Sequence, residues 1–460
     1  MRLLRIILRR GLRFLSKARR IIKIGWSARS RATSDPLAPV ESRFPLAPVE
    51  SRFRGEPPLA PEWLSHKVIA WYLPQFHPTE INDELWGEGF TEWTNVQAAV
   101  PLFSGHNQPR APLPTPLGNY VLDSQETYDR QVQLARSGGI FGFSFYLYEF
   151  GHTRLLNEPL ERLLTEDQTG FPFCFTWANE DWTRAWDGLS DPIVSMSYSE
   201  ESINQMLEHY REHFLLNNYI KIDGKPLFLV YRWSSIPVDL DVRAIFQRKA
   251  EEFGFTDFFL VSALTFDETP SSGPADAWVQ FPPHQVGWRA EIQVSAPLGT
   301  SLKVVDYNEM VDFSKTQLSS SHRVWPGITL DWDNTSRRGA AGTIVRGFTE
   351  SALHQWLEDA VRRVSDDETL RFDEEFIFVN AWNEWAEGTY LEPDVLRGYS
   401  ALQVLRSTQP RSGRSPVLIV VHDAHRGGSQ LNALHFGKRV ARFGHDPIFL
   451  TLDGSGLLLA

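Results

Sequence analysis

Cysteine is nearly missing from this 460-residue chain. Cys174 is the only one, which excludes an internal disulfide and fits a reducing compartment. There is no H-E-x-x-H and no cysteine cluster, so nothing calls for a metal ion, and no cofactor is expected. The absence of G-x-S-x-G leaves an α/β-hydrolase serine triad unsupported. No early strand leads into a Gly-rich phosphate loop, which disfavours an open nucleotide-binding sheet. Uninterrupted apolar runs are also lacking at the N-terminus. Residues 1–26 carry Arg or Lys every few positions, so they form neither a clean secretory signal nor a bilayer-spanning segment.

Those 26 residues hold nine cations and no acid. The chain as a whole has net charge −11, so the remainder is strongly acidic, and nucleic acid is excluded as the main ligand. Leu4, Ile7, Leu8, Leu15 and Ile22 recur at helical spacing among the cations. One reading is an amphipathic helix lying on anionic lipid, which implies a cytoplasmic protein held peripherally on the inner membrane. The other is a solvated basic tail. Residues 27–66 read as a Pro-rich linker, in which PLAPVESRF (36–44) is repeated unchanged at 45–53.

From Lys67 the texture changes to short apolar and aromatic runs: VIAWYLPQF (68–76), IFGFSFYLY (140–148), FPFCFTWANE (171–180), PLFLVYRW (226–233), DFFLVSAL (257–264), AWVQFPP (277–283), GITLDWDNT (327–335) and FIFVNAWNEW (376–385). Helical patterns lie between several of them, as in SQETYDRQVQLARSGG, ESINQMLEHYREHFLL and TESALHQWLEDAVRRV. Eight strands that stay apolar along their length, with helices between, predict an α/β fold of the (β/α)8 barrel type over 67–408. An open doubly wound sheet is the alternative. Residues 409–415 read as a linker. Residues 416–460 read as one strand–helix–strand unit, which cannot bury both faces by itself; this suggests a fragment or a unit that docks on something else.

Polar residues collect at the C-terminal ends of these strands, the face where barrel enzymes place their sites. They include Gln75 and His77, Asn179, Glu180 and Asp181, Tyr231 and Arg232, Asp331, Asp333 and Asn334, and Asn383, Glu384 and Glu387. In NAWNEWAEGTYLEPD (380–394), Glu384 and Glu387 sit among tryptophans. Glycoside cleavage needs one group to protonate the leaving oxygen and a second to attack or to activate an attacker, and two carboxylates supply both. Residues three apart on an extended strand face opposite ways, so the strand must have ended by Trp385 for both to serve one sugar. A salt-bridged glutamate beside a solvated one is the bland alternative. Trp182, Trp332 and Trp385 offer flat apolar faces beside amides and acids, as a sugar site requires. Asp333 suits either a sugar hydroxyl or a helix cap, and His77 either a ligand or a structural bond. NDELWGEGFTEWTNV (82–96) reads as a long loop that could cover the site with Trp86 and Trp93. Glu392 and Asp394 are read as outside the chemistry.

AWYLPQFHP (70–78), GFTEWTNV (89–96), FPFCFTWANEDWTRAWDG (171–188), IDGKPLFLVYR (222–232), LDWDNTSRR (330–338) and NAWNEWAEGTYLEPD (380–394) resemble the WbsX-type family of surface-polysaccharide and O-antigen loci, itself similar to glycoside hydrolase family 99. The resemblance covers about residues 67–405. It implies a barrel acting on a glycan or lipid-linked oligosaccharide by retaining cleavage or transglycosylation through a 1,2-anhydro sugar. Glu384 would assist the substrate's 2-hydroxyl and Glu387 would be the general acid/base, with Tyr72 matching a substrate-contacting tyrosine. WbsX-type proteins are commonly labelled glycosyltransferases, so sugar transfer stands as a second reading and a non-catalytic glycan-binding barrel as a third. HDAHRGGSQLNALHFGKRVARFGHDPIFLT resembles the opening of a GT-B (family 4-like) glycosyltransferase.

Overall fold

The structure is a computed structural model. It describes residues 66–409, with breaks at 166–168, 184–191, 267, 271–272, 285–292, 295–300, 317–321, 368–369 and 371–373, together with residues 55, 57 and 64 and parts of 416–451. The basic arm, the tandem repeat, Trp186 and the Gly-Gly turn at 427–428 lie outside the described residues.

Eight parallel staves form the central sheet: β1 (Lys67–Tyr72), β2 (Gly142–Glu149), β3 (Phe173–Trp177), β4 (Lys225–Val230), β5 (Phe259–Leu264), β6 (Ala277–Gln280), β7 (Val324–Trp325 and Gly327–Thr329) and β8 (Phe376–Asn380). Each pairs with the next, and β8 pairs with β1. The stave β7 is in two pieces. Trp278 and Val279 of β6 pair with Val324 and Trp325, whereas Gly327, Ile328 and Thr329 pair with Phe378, Val379 and Asn380. Pro326, which has no N–H to give, sits between them. One stave therefore joins both ends of the sheet and closes the barrel. Glycine is required at 327, because a Cβ there would lie 1.9 Å from the Gln280 carbonyl oxygen.

Helices follow the staves, and side-chain oxygens of Thr79, Ser199, Asp241 and Thr349 cap four of them. In chain order they include α1 (Glu80–Trp86), α2 (Trp93–Ala98), α3 (Gln125–Ser137), α4 (Glu158–Thr165), α5 (Glu200–His209), α6 (Val242–Glu252), α7 (Tyr307–Thr316), α8 (Thr335–Arg338), α9 (Glu350–Asp366) and α10 (Ser400–Thr408). In α9, Leu353, Trp356, Leu357, Ala360 and Val364 are buried at helical spacing, and the Thr349 hydroxyl accepts the Ala352 N–H at 3.1 Å as the N-cap. The segment read as a long loop at 82–96 contains α1 and the start of α2, a correction that follows from Thr79 capping α1.

Aromatic rings fill the barrel. Trp71 of β1 lies 4.4 Å from Phe281 and 5.0 Å from Phe378, and Trp325 stacks near Phe259 and Phe378. The Trp71 indole donates to Thr176 at 3.1 Å, and Thr176 bonds Ser144 at 2.7 Å. The interior is closely packed, and a cleft opens at the C-terminal mouth. Beyond the barrel, β9 (Pro416–Val421) and β10 (Asp446–Thr451) form a parallel pair, and residues 432–437 are helical. Among the described residues no helix is long and apolar enough to cross a membrane.

Candidate active site

Stave β8 ends at Asn380, ahead of a cis peptide to Ala381. The chain then makes a small hairpin, Asn383 and Glu384 against Tyr390 and Thr389, closed by a 3-10 turn at Trp385–Glu387. Gly388 completes the turn at φ 69, a left-handed conformation that favours glycine. Extended geometry has thus been left before Glu387, and the spacing of three no longer separates the two carboxylates.

The loop after β7 grips this turn. The Asp333 N–H donates to the Glu387 carbonyl at 2.7 Å, and the Ser336 hydroxyl donates to the Ala386 carbonyl at 2.5 Å. Arg110 donates to the Gly388 carbonyl at 3.1 Å. His106 Nδ1 accepts the Leu102 N–H at 3.0 Å, which leaves Nε2 as the proton-bearing nitrogen facing Asp333 Oδ2 at 2.8 Å. Burial acts to raise the Asp333 pKa, but His106, Arg110 and Thr335 together hold it below the ordinary range.

The same loop supplies Arg337, whose guanidinium serves three carboxylates. Its Nε reaches Glu92 at 3.1 Å, Nη2 reaches Glu384 at 3.1 Å and Nη1 reaches Glu387 at 2.9 Å. The side chains grade in depth: Glu92 is 0% exposed, Glu384 6% and Glu387 21%. Burial pushes Glu384 up to about 8 against the pull of Arg337, with Glu387 and Glu92 adding to the rise. Glu387 is also raised by burial, opposed by Arg337 and Arg338. Two such acids beside one cation titrate as a unit, and the pair retains a proton near neutrality.

Glu384 and Glu387 form one wall of a cleft of about 260 Å³. Tyr146 and Tyr148 of β2 and Tyr231 after β4 line it, with burial raising all three phenols. Phe150 and Trp182 stack at 6.5 Å on one side, and Phe281 lies at the floor beside His284. Burial lowers His284 to about 4, so the imidazole is neutral. Glu180 and Asp181 complete the rim, Glu180 paired to Arg232 at 2.7 Å. Among the described residues no group of side chains has the geometry to hold a metal ion.

Of the residues singled out in sequence, Glu180, Asp181, Trp182, Tyr231, Glu384 and Glu387 meet at this cleft. Tyr72 lies elsewhere: Trp71 points into the barrel, so Tyr72 points out, where it donates to Gln131 of α3 at 2.7 Å. His77 bonds Glu158 at 2.7 Å, and the Trp93 indole donates to the Tyr120 carbonyl. Asn179 clasps β4, accepting the Arg232 N–H and donating to the Arg232 carbonyl. Asn383 clasps β1 in the same way at Leu73. Trp385 stacks on Tyr390 at 3.7 Å and donates to Glu392 at 2.6 Å. Trp332 is buried edge-on to His284 at 5.1 Å, behind the cleft wall, and Asp333 belongs to the turn support. Sequence reading missed Glu92, Tyr146, Tyr148, His284 and Arg337. For the two tyrosines a signal existed: Ser144, Tyr146 and Tyr148 alternate along β2 on one face.

A family model described as glycosyltransferase WbsX matches residues 68–405. Proteins called uncharacterized protein WxcX, from two strains of Xanthomonas campestris pv. campestris, are 33% identical over 358 residues, or 76% of this chain. The chain spans about half the length, 51%, of these curated relatives. Among solved structures, a glycoside hydrolase-like protein aligns with TM-score 0.48 and 14% identity, covering 80% of this chain and 99% of its own. The GH99 endo-alpha-mannosidase from Bacteroides thetaiotaomicron, in complex with bis-tris-propane, aligns with TM-score 0.45 and 15% identity, covering 75% of this chain and 95% of its own.

Proposed function

The chain belongs to the WbsX family, a carbohydrate-active family, and on that premise we propose that its barrel performs retaining glycoside cleavage or transglycosylation on a surface-polysaccharide or O-antigen-type glycan. One observation carries the reading: Glu384 and Glu387 share the Arg337 guanidinium at the wall of a cleft lined with aromatic rings. The rings offer faces to a sugar, and the carboxylates offer one proton between them.

In the proposed reaction the one proton that the pair shares moves to Glu387 as the glycan binds, and the ionised Glu384 then takes the proton of the sugar's C2 hydroxyl. O2 then attacks C1 as the bond to the leaving oxygen breaks, and Glu387 gives that oxygen its proton. The 1,2-anhydro sugar is opened at C1 by water, or by an acceptor hydroxyl, whose proton passes to Glu387. Glu384 returns its proton to O2, and both carboxyls regain their starting states. Glu387, the more exposed of the two, suits contact with the leaving group and with incoming water. The aromatic walls exclude bulk water and strengthen these proton transfers.

Sugar transfer from an activated donor has support in the family description and in the β9–β10 unit, whose sequence resembles a GT-B opening. The substrate would be a glycan or a lipid-linked oligosaccharide, the latter drawing on a lipid contact for residues 1–26. The test incubates the full chain with a panel of surface polysaccharides and lipid-linked oligosaccharides, with and without nucleotide-sugars. Shortened or re-joined glycans without any nucleotide-sugar are expected. Product that forms only with a nucleotide-sugar overturns cleavage in favour of transfer. Binding without product favours a lectin-like barrel.

A further inference from the structure

Glu92 is the third carboxylate on Arg337 and the one that the proposed reaction does not use. It begins α2, where its side chain makes no cap bond, and it is wholly buried. Its Oε1 receives Arg337 Nε, while Oε2 has no hydrogen-bond partner among the described residues. A buried carboxylate oxygen left without a donor is costly, and burying three acids around one guanidinium is costlier still. Three elements are packed together to hold this arrangement: α2, α8 and the 385–387 turn. A scaffold built only for stability would place an apolar side chain at 92.

We propose that Glu92 is a positioning residue for the Glu384–Glu387 pair: it pins the Nε edge of Arg337 so that the two remaining prongs serve the pair, and it withholds part of the guanidinium charge so that the pair keeps a proton. This rests on reading Glu384 and Glu387 as the reacting carboxylates. With all three acids ionised the cluster carries three negative charges against one positive; one proton on the pair reduces the excess. The other groups facing the cluster are Arg338 on α8, Tyr146 and Tyr148 on β2, Tyr231 after β4, Glu180 after β3 and the neutral His284 after β6. The phenols stay protonated and His284 is neutral, so the fixed charges bearing on the pair are Arg337 on both carboxyls, Glu92 on Glu384 and Arg338 on Glu387.

The test is a carbon-13 titration of glutamate carboxyls in the full chain, with the pair's signals identified by their loss in Glu384→Gln and Glu387→Gln. Glu92→Gln is expected to lower the midpoint of the pair by about one pH unit or more, because a like charge has gone. Arg337→Gln is expected to raise it. Glu92→Met, apolar and of similar length, carries the same expectation as Glu92→Gln if the latter does not fold. A midpoint unmoved by loss of the Glu92 charge overturns the proposal. Titration needs no turnover, so a failed glycan screen would count against the reaction assigned to the pair, and an unmoved midpoint against Glu92 alone.

Discussion

The backbone N–H of Asp333 donates to the carbonyl oxygen of Glu387 at 2.7 Å, so the loop after β7 holds the turn after β8 directly. The same loop sends Arg337 to the Glu387 carboxylate at 2.9 Å. Backbone and side chain of one glutamate are thereby fixed by one neighbouring loop, which is the kind of support that a reacting group needs.

Asp333 is itself held by His106 and Thr335, with Arg110 at 3.7 Å. Asp333→Ala leaves the His106 and Thr335 donors buried without that acceptor, while Arg110 keeps Asp331 and the Gly388 carbonyl. A loss of about 3–5 kcal/mol in chemical denaturation is expected, as for one partner removed from a buried pair. Asp333→Asn, which keeps the shape and some of the bonds, is expected to cost less.

Gly388 has φ 69, and a Cβ there would lie 2.9 Å from both Arg110 Cζ and the Asp333 nitrogen. Gly388→Ala is therefore expected to cost about 1–3 kcal/mol from left-handed strain alone. Crowding should displace the turn as well, so turnover is expected to fall further than stability. Thermal denaturation and a rate assay on the same preparation separate the two effects.

Buried carboxyls with raised pKa values set a pH dependence of stability. Burial raises Glu149 to about 7, and Glu392 also to about 7. Such groups hold protons more tightly in the folded state, so their contribution is fully present below the ordinary carboxylate range and is lost as pH rises through about 7. Glu149→Gln removes one of these protons from the balance. Between pH 5 and 8 its unfolding free energy is expected to fall less steeply than that of the wild type, by on the order of 1–3 kcal/mol over the interval. Parallel slopes in urea titrations at several pH values would contradict this.

Trp182 stacks with Phe150 at 6.5 Å and meets Trp86 edge-on at 6.1 Å along the cleft. Trp182→Ala is expected to weaken glycan binding about tenfold, with a smaller effect on the chemical step, since a ring face serves ground and transition states alike. Isothermal titration with a bound glycan and steady-state rates check the split.

The eight staves were legible because parallel barrel strands are buried on both faces and so read as continuous apolar runs. That same property hid the orientation of Tyr72: with both faces apolar, nothing local tells that Trp71 points inward. It also obscured Tyr146 and Tyr148, whose alternation with Ser144 is the one mark that sets them apart from core residues within GFSFYLYE. Glu384 and Glu387 were visible because two acids amid indoles are costly to bury without a partner. Arg337 and Glu92 were not, since an arginine after a strand and a glutamate opening a helix look ordinary until the fold joins them across 245 positions of sequence.

The central claim is that Glu384 and Glu387 act together on a glycan, and it is tested most directly by comparing wild type, Glu384→Gln and Glu387→Gln on the substrate found in the panel. Loss of about 10²–10⁴-fold in turnover is expected for each variant, with glycan binding retained. Turnover that persists at the wild-type rate in both variants would contradict the claim.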